Sequence, residues 1–163
     1  MAGAAVVSDS VLECIGSQVG TLGFGLVAYA VESDDDFVMK VYTVGLNAKG
    51  LPEIILEGVE VARAVGLVGN VASCLLQRGV GADQVEELTM ELEEGGVQLY
   101  IMRVETGVGQ GKAPVAVKFS GSTRFVQMCI RDREGKWPWE PGFIGAKLHQ
   151  ESMSGGGATQ MKQ

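Results

Sequence analysis

The chain has 163 residues, 46% of them hydrophobic and 20% charged, the size and composition of one folded domain with a core. Its 20 acidic and 13 basic side chains leave a net charge of −7, which argues against nucleic acid and anionic membranes as partners, because lysine and arginine supply that affinity. The opening MAGAAVVSDS lacks a basic segment followed by an apolar run, and the most apolar stretch, VEVARAVGLVGNVASCLL, carries Glu60, Arg63 and Asn70; no secretory leader or membrane span is expected, and the chain is expected in the cytoplasm.

In chain order, Ser10-Val-Leu-Glu13 reads as a capping box, predicting a short helix from Val11 to about Val19 that Gly20 ends. FGLVAYAV and FVMKVYTV then read as two strands around the acidic turn Ser33–Asp36, whose side chains suit a hairpin loop. That turn lacks the further oxygen ligands of a calcium site. PEIILEG follows as a third strand. From Val59 to Arg78, Val61, Val65, Val68, Ala72 and Leu75 step by four and three, with Arg63, Asn70 and Gln77 on another face, which predicts a long amphipathic helix. Gly66 and Gly69 weaken that helix or mark close packing against a sheet.

VEELTMELEEGGVQLYIMRVE reads as a hairpin about Glu94-Gly95-Gly96, with a helix over 83–94 as the competing reading. TGVGQGKAP reads as a loop, VAVKFSG as a short apolar piece, and TRFVQMCIRD as a last strand with Val126, Met128 and Ile130 on one face. Residues 1–144 are thus expected as a single globular domain and 145–163 as a flexible tail. The fold class is α+β: a mostly antiparallel sheet packed with one long and one or two short helices.

Two blocks in this layout resemble a known family. YTVGLNAKGLPEIILEG, residues 42–58, and QMCIRDREGKWPWEPGF, residues 127–143, are similar in content, order and separation to the opening and closing blocks of the domain of unknown function 4262 family, small bacterial and phage proteins. The resemblance covers roughly residues 10–145 and places motif positions at Tyr42, Thr43, Gly45, Leu46, Pro52 and Glu53, then at Gln127, Asp132, Gly135, Pro138, Trp139 and Glu140. Leu51 stands where many relatives carry histidine. The resemblance implies no particular reaction.

The residues that carry chemistry are few. Gly107–Lys112, GVGQGK, offers glycines and a lysine to a phosphate, but it has neither P-loop nor dinucleotide spacing, so a flexible connection competes with a phosphate site. The single histidine, His149, gives no basis for a nucleophile–histidine pair or a three-histidine zinc site. Cys14, Cys74 and Cys129 are widely spaced and expected as buried free thiols. No metal and no cofactor is expected.

Glu53, Asp132 and Glu140 are expected to meet at one end of the sheet, either for acid/base work or structurally, with Asp132 closing the turn to Gly135 and Glu53 pairing with Arg131. Pro138 sends Trp137 and Trp139 to opposite sides: Trp139 is expected to plug the sheet end and Trp137 to line a groove or subunit contact, with core plugging by both as the competing reading. Ligand-binding candidates are therefore Tyr42, Glu53, Lys112, Arg131, Asp132, Trp137 and Trp139. The leading functional expectation is a non-catalytic binding or interaction module that self-associates as a homo-oligomer. One alternative is a small enzyme or binder acting on a phosphorylated or nucleotide-like ligand; another is a protein of phage–host conflict.

Overall fold

Ser8, rather than Ser10, starts the first helix: its hydroxyl accepts from the amide of Val11 at 3.3 Å, so the cap lies two residues before the expected box. The computed structural model describes residues 8–33, 36–78, 88–92, 97–122, 124–131, 136–137 and 140–141. Part of the Ser33–Asp36 turn, the whole of the Glu94–Gly96 turn and the tail 145–163 lie outside them. Helix α1 spans Asp9–Leu22 and runs through Gly20 to Gly23, which closes it at a φ of 91° with its N–H donating a hydrogen bond to the Val19 carbonyl. An interior glycine lowers helix stability by only about 1 kcal/mol, whereas a left-handed residue ends the helix.

Strands β1 (Gly25–Ser33) and β2 (Asp36–Val44) form the expected hairpin, β3 is Glu53–Glu57, β4 (Leu88–Leu92) and β5 (Val97–Val104) form the second hairpin, and β6 is Phe125–Ile130. The hairpin reading of 88–104 therefore holds over the helical one. The six strands make one sheet in the order β1-β2-β3-β6-β5-β4. Four of its five pairings are antiparallel; β3 and β6 run parallel, with Glu53 opposite Phe125. The fold is α+β with a mostly antiparallel sheet.

Helix α2 (Val61–Arg78) begins where Glu60 accepts from the amides of Ala62 and Arg63, each at 3.1 Å. It buries Ala64, Leu67, Val68, Val71, Ala72 and Leu75 against Val41, Ile54, Leu56, Val126, Met128 and Ile130 of the sheet. Val61, expected on this stripe, is exposed instead. The stripe still advances in the three-and-four steps of a core-facing helix. Neither glycine of α2 is forced by packing: a Cβ at Gly66 would meet open space, and one at Gly69 only Leu26 at 3.8 Å. Gly66→Ala is therefore expected to raise stability by about 1 kcal/mol through helix propensity and a less flexible unfolded chain. A lower urea midpoint for this variant would contradict it.

The opposite face carries α1 and two short helices, α3 (Thr106–Lys112) and α4 (Pro114–Ser120), around a second core of Ile15, Tyr42, Val44, Ile55, Val104, Ala113, Val115, Ala116 and Phe125. Residues 106–114, expected as a loop, are instead helical over Thr106–Lys112, and Pro114 already begins α4. Three glycines disguise α3, but Gly109 allows its close approach to the sheet. A Cβ there would lie nearer than 3.0 Å to three atoms of the Phe125 side chain. For α4 the missed signals were Pro114 at the first turn and Gly121, at φ 61°, just after the last.

Candidate functional site

Between β2 and β3 the chain makes a tight corner. Gly45 turns it at φ 100°, a 3-10 turn follows over Leu46–Lys49, and Gly50 turns it again at φ 80°. Positive φ at both points suits glycine. Successive amides at such a corner converge, making a concavity that elsewhere binds anions. Here the occupant is internal. The fully buried Glu53 accepts from the amides of Gly45 at 3.1 Å and of Leu46 and Asn47, each at 3.2 Å. The Thr43 hydroxyl adds a bond at 2.8 Å and the Ser122 hydroxyl one at 2.9 Å.

Desolvation by burial raises the Glu53 carboxyl above its ordinary pKa, against the opposing pull of Thr43, Ser122, Asn47 and Leu46. The donors are neutral, and Arg131, the expected partner, is not among them. Asn47 fastens the corner further: its amide donates to the carbonyls of Leu51 and Arg124, and its carbonyl accepts from the Arg124 amide.

The same network grips α4 at both ends. Ala113 has no side-chain cap to offer, and the Tyr42 hydroxyl accepts from the Val115 amide at 3.1 Å, serving as a remote cap. Burial pushes the Tyr42 phenol well up, the Val115 bond opposing it. At the other end, Ser122 lies 3.1 Å from the Ala116 carbonyl as well as beside Glu53. Tyr42, Thr43, Gly45, Leu46 and Glu53 therefore meet in one construction, a buried carboxylate lock holding the corner and α4 to the sheet.

A second polar cluster lies on the same face at the other end of β3. Tyr29, Lys40 and Glu57 occupy mutually opposite positions across β1, β2 and β3, and Lys112 comes over them from the end of α3. Glu57 Oε2 lies 2.7 Å from Lys40 Nζ and 3.2 Å from Lys112 Nζ, while the Tyr29 hydroxyl donates to the Lys112 carbonyl at 3.0 Å. Burial lowers the Lys40 pKa, but the hydrogen bond and charge of Glu57 more than offset it, so the ammonium is held above its ordinary value. Of these four residues only Lys112 was foreseen, and it was foreseen in a phosphate loop. Residues 106–112 form helix α3, with bonds such as Gly109 to Glu105 and Ala113 to Gly109, in place of the loop expected there.

Past the end of β6, Arg131 Cζ sits 4.7 Å from the centroid of the Trp137 ring, a cation–π separation. Trp137 in turn meets Tyr100 of β5 edge-on at 6.3 Å. Its amide donates to the Glu140 carboxylate at 2.6 Å and its carbonyl accepts from the Glu140 amide at 2.9 Å, closing a tight turn. The expected meeting of Glu53 with Glu140 at one sheet end is thus corrected: Glu53 lies beside the start of β6, and Arg131, Trp137 and Glu140 follow its end. Asp132, Gly135, Pro138, Trp139 and His149 lie outside the described residues.

Of the thiols, Cys129 alone is fully buried, which pushes its pKa up to about 12. Cys14 is exposed and Cys74 half-buried, against the expectation of three buried thiols. Among the described residues no group of three or more histidine, cysteine, aspartate or glutamate side chains is placed to hold a metal ion, and no helix is long and apolar enough to cross a membrane.

The family model described as "Domain of unknown function (DUF4262)" matches residues 22–144. The chain belongs to the DUF4262 family. The match spans the sheet, the carboxylate lock and both of the sequence blocks that resembled this family. Neither the curated proteins nor the solved structures hold a match to this DUF4262 protein.

Proposed function

We propose that this DUF4262 protein is a non-catalytic, cytoplasmic binding module that self-associates. The observation carrying the first part is the state of Glu53. Glu53, the one carboxylate among the motif positions of the opening family block, is fully buried and receives five internal hydrogen bonds, so it supports the fold and has no exposed oxygen for a substrate. The working surface then lies outside the lock.

Self-association is supported by α1, where Val11 and Leu22 are 40% and 59% exposed and, eleven residues apart, fall on the same side of the helix. Large exposed apolar side chains in line favour a protein contact. Sedimentation at tens of micromolar tests this. The natural chain is expected to sediment as an oligomer and Leu22→Asp to shift toward monomer, the midpoint concentration rising roughly tenfold or more for a desolvated leucine contact. A natural chain that sediments as monomer throughout would remove the self-association.

A further inference from the structure

The Lys40–Glu57–Lys112 cluster holds two ammonium groups against one carboxylate, a local surplus of positive charge in a chain whose net charge is −7. The exposure is graded. The Glu57 side chain is 7% exposed, Lys40 16% and Lys112 31%, so the carboxylate is deepest and the second ammonium is nearest to solvent. Each ammonium has three donor hydrogens; Lys40 meets Glu57 Oε2, and Lys112 meets that oxygen and, at 3.5 Å, Oε1 as well, which leaves each with a hydrogen for a further acceptor. A surplus charge in a half-desolvated position is unfavourable until an anion matches it.

The positions are also held in advance. Lys40 and Glu57 are cross-strand partners in register, and Tyr29 secures the last residue of α3 through its carbonyl, so little ordering accompanies ligand entry. Glu57 keeps Lys40 protonated, which suits it to charge pairing and not to attack as a free amine.

We propose that Lys40, Lys112 and Glu57 form a binding site for a small oxyanion, the phosphate or carboxylate group of a metabolite, with the two ammonium groups as donors. This deepens the binding-module reading and rests on it, but not on self-association. Glu57 gathers the two lysines and competes with the ligand for them. The site is therefore tuned by one carboxylate: removing its charge frees both donors, and removing Lys112 cancels the surplus.

The test is an NMR titration of the full chain with inorganic phosphate and, separately, acetate, at constant ionic strength with chloride as reference, following the Lys40 and Lys112 amides. Saturable shifts are expected with at least one anion, the preferred one telling a phosphate from a carboxylate ligand. Lys112→Met is expected to weaken binding roughly tenfold, the loss of one charge-assisted hydrogen bond, and Glu57→Gln to tighten it. Shifts no larger than those from chloride, or affinity unchanged in Lys112→Met, would overturn the site. If one variant does not fold, the other still decides, since the two move affinity in opposite directions. Sedimentation of the same samples separates failure of this site from failure of self-association.

Discussion

Glu53→Ala is expected to lower the unfolding free energy by about 4 kcal/mol or more, in the range reserved for broken buried networks. The substitution leaves three backbone amides and two hydroxyls facing a void, and each buried donor without an acceptor costs about 1–3 kcal/mol. Glu53→Gln is the sharper variant because it keeps the shape. Oε1 accepts from the Leu46 amide and Oε2 from those of Gly45 and Asn47, so the NH₂ of a glutamine meets a backbone N–H whichever way it is turned. Amides cannot reverse their role, and a loss of about 2–4 kcal/mol is expected. Urea unfolding measures both; a loss below about 1 kcal/mol for Glu53→Ala, within the range of an ordinary surface change, would show that water or another group fills the corner.

The pH dependence has a definite sign. Burial raises the folded pKa of Glu53 above its ordinary value, so the folded state holds this proton more tightly than the unfolded chain does. Its contribution to stability is complete below the unfolded carboxyl range and is lost as pH rises through the folded pKa. The added proton has a place to go, since Ser122 can accept it while donating to the Ala116 carbonyl, 3.1 Å away. Glu53→Gln should remove this component from the stability–pH curve. An Asp or Glu stabilised by ion pairing would show the opposite slope.

The second large effect is expected at Gly109. Phe125 lies under it, fully buried and paired in register with Glu53 on one side and Val104 on the other, so the ring has little room to yield. Gly109→Ala would drive a methyl group into that ring, a net loss of about 2–3 kcal/mol from overpacking even after alanine's gain in helix propensity. Gly111, two residues on, faces open space, and its alanine variant is expected to gain about 0.5–1 kcal/mol. Adding Phe125→Leu to Gly109→Ala should recover part of the loss, a non-additivity that marks direct contact. Equal midpoints for the two alanine variants would mean that α3 slides on the sheet without penalty.

These two residues show where sequence reasoning succeeded and where it stopped. Glu53 was legible as a motif position, together with Tyr42, Thr43, Gly45 and Leu46, but its role was read toward Arg131 and acid/base chemistry. Its actual donors include Ser122, 69 residues away, a residue without any local signature. Gly109 was legible only as part of a glycine-rich run, and glycine for a phosphate looks in sequence like glycine for a neighbouring ring. The distinction depends on what faces the missing Cβ.

Strand positions, the two longer helices and the shared face of Val126, Met128 and Ile130 in β6 were set out by the sequence itself, because these depend on residues a few places apart: β-branched and aliphatic runs, glycine boundaries, and steps of three and four. The tertiary structure alone decided that β3 and β6 pair in parallel, that Glu57 draws in Lys112 from 55 positions away, and that Glu53 fills a nest of amides. A carboxylate is satisfied by donors arriving at the right distance and angle, whatever their separation along the chain, so the sequence supplied the acceptor and the bend while the packing of helices on the sheet chose its partners.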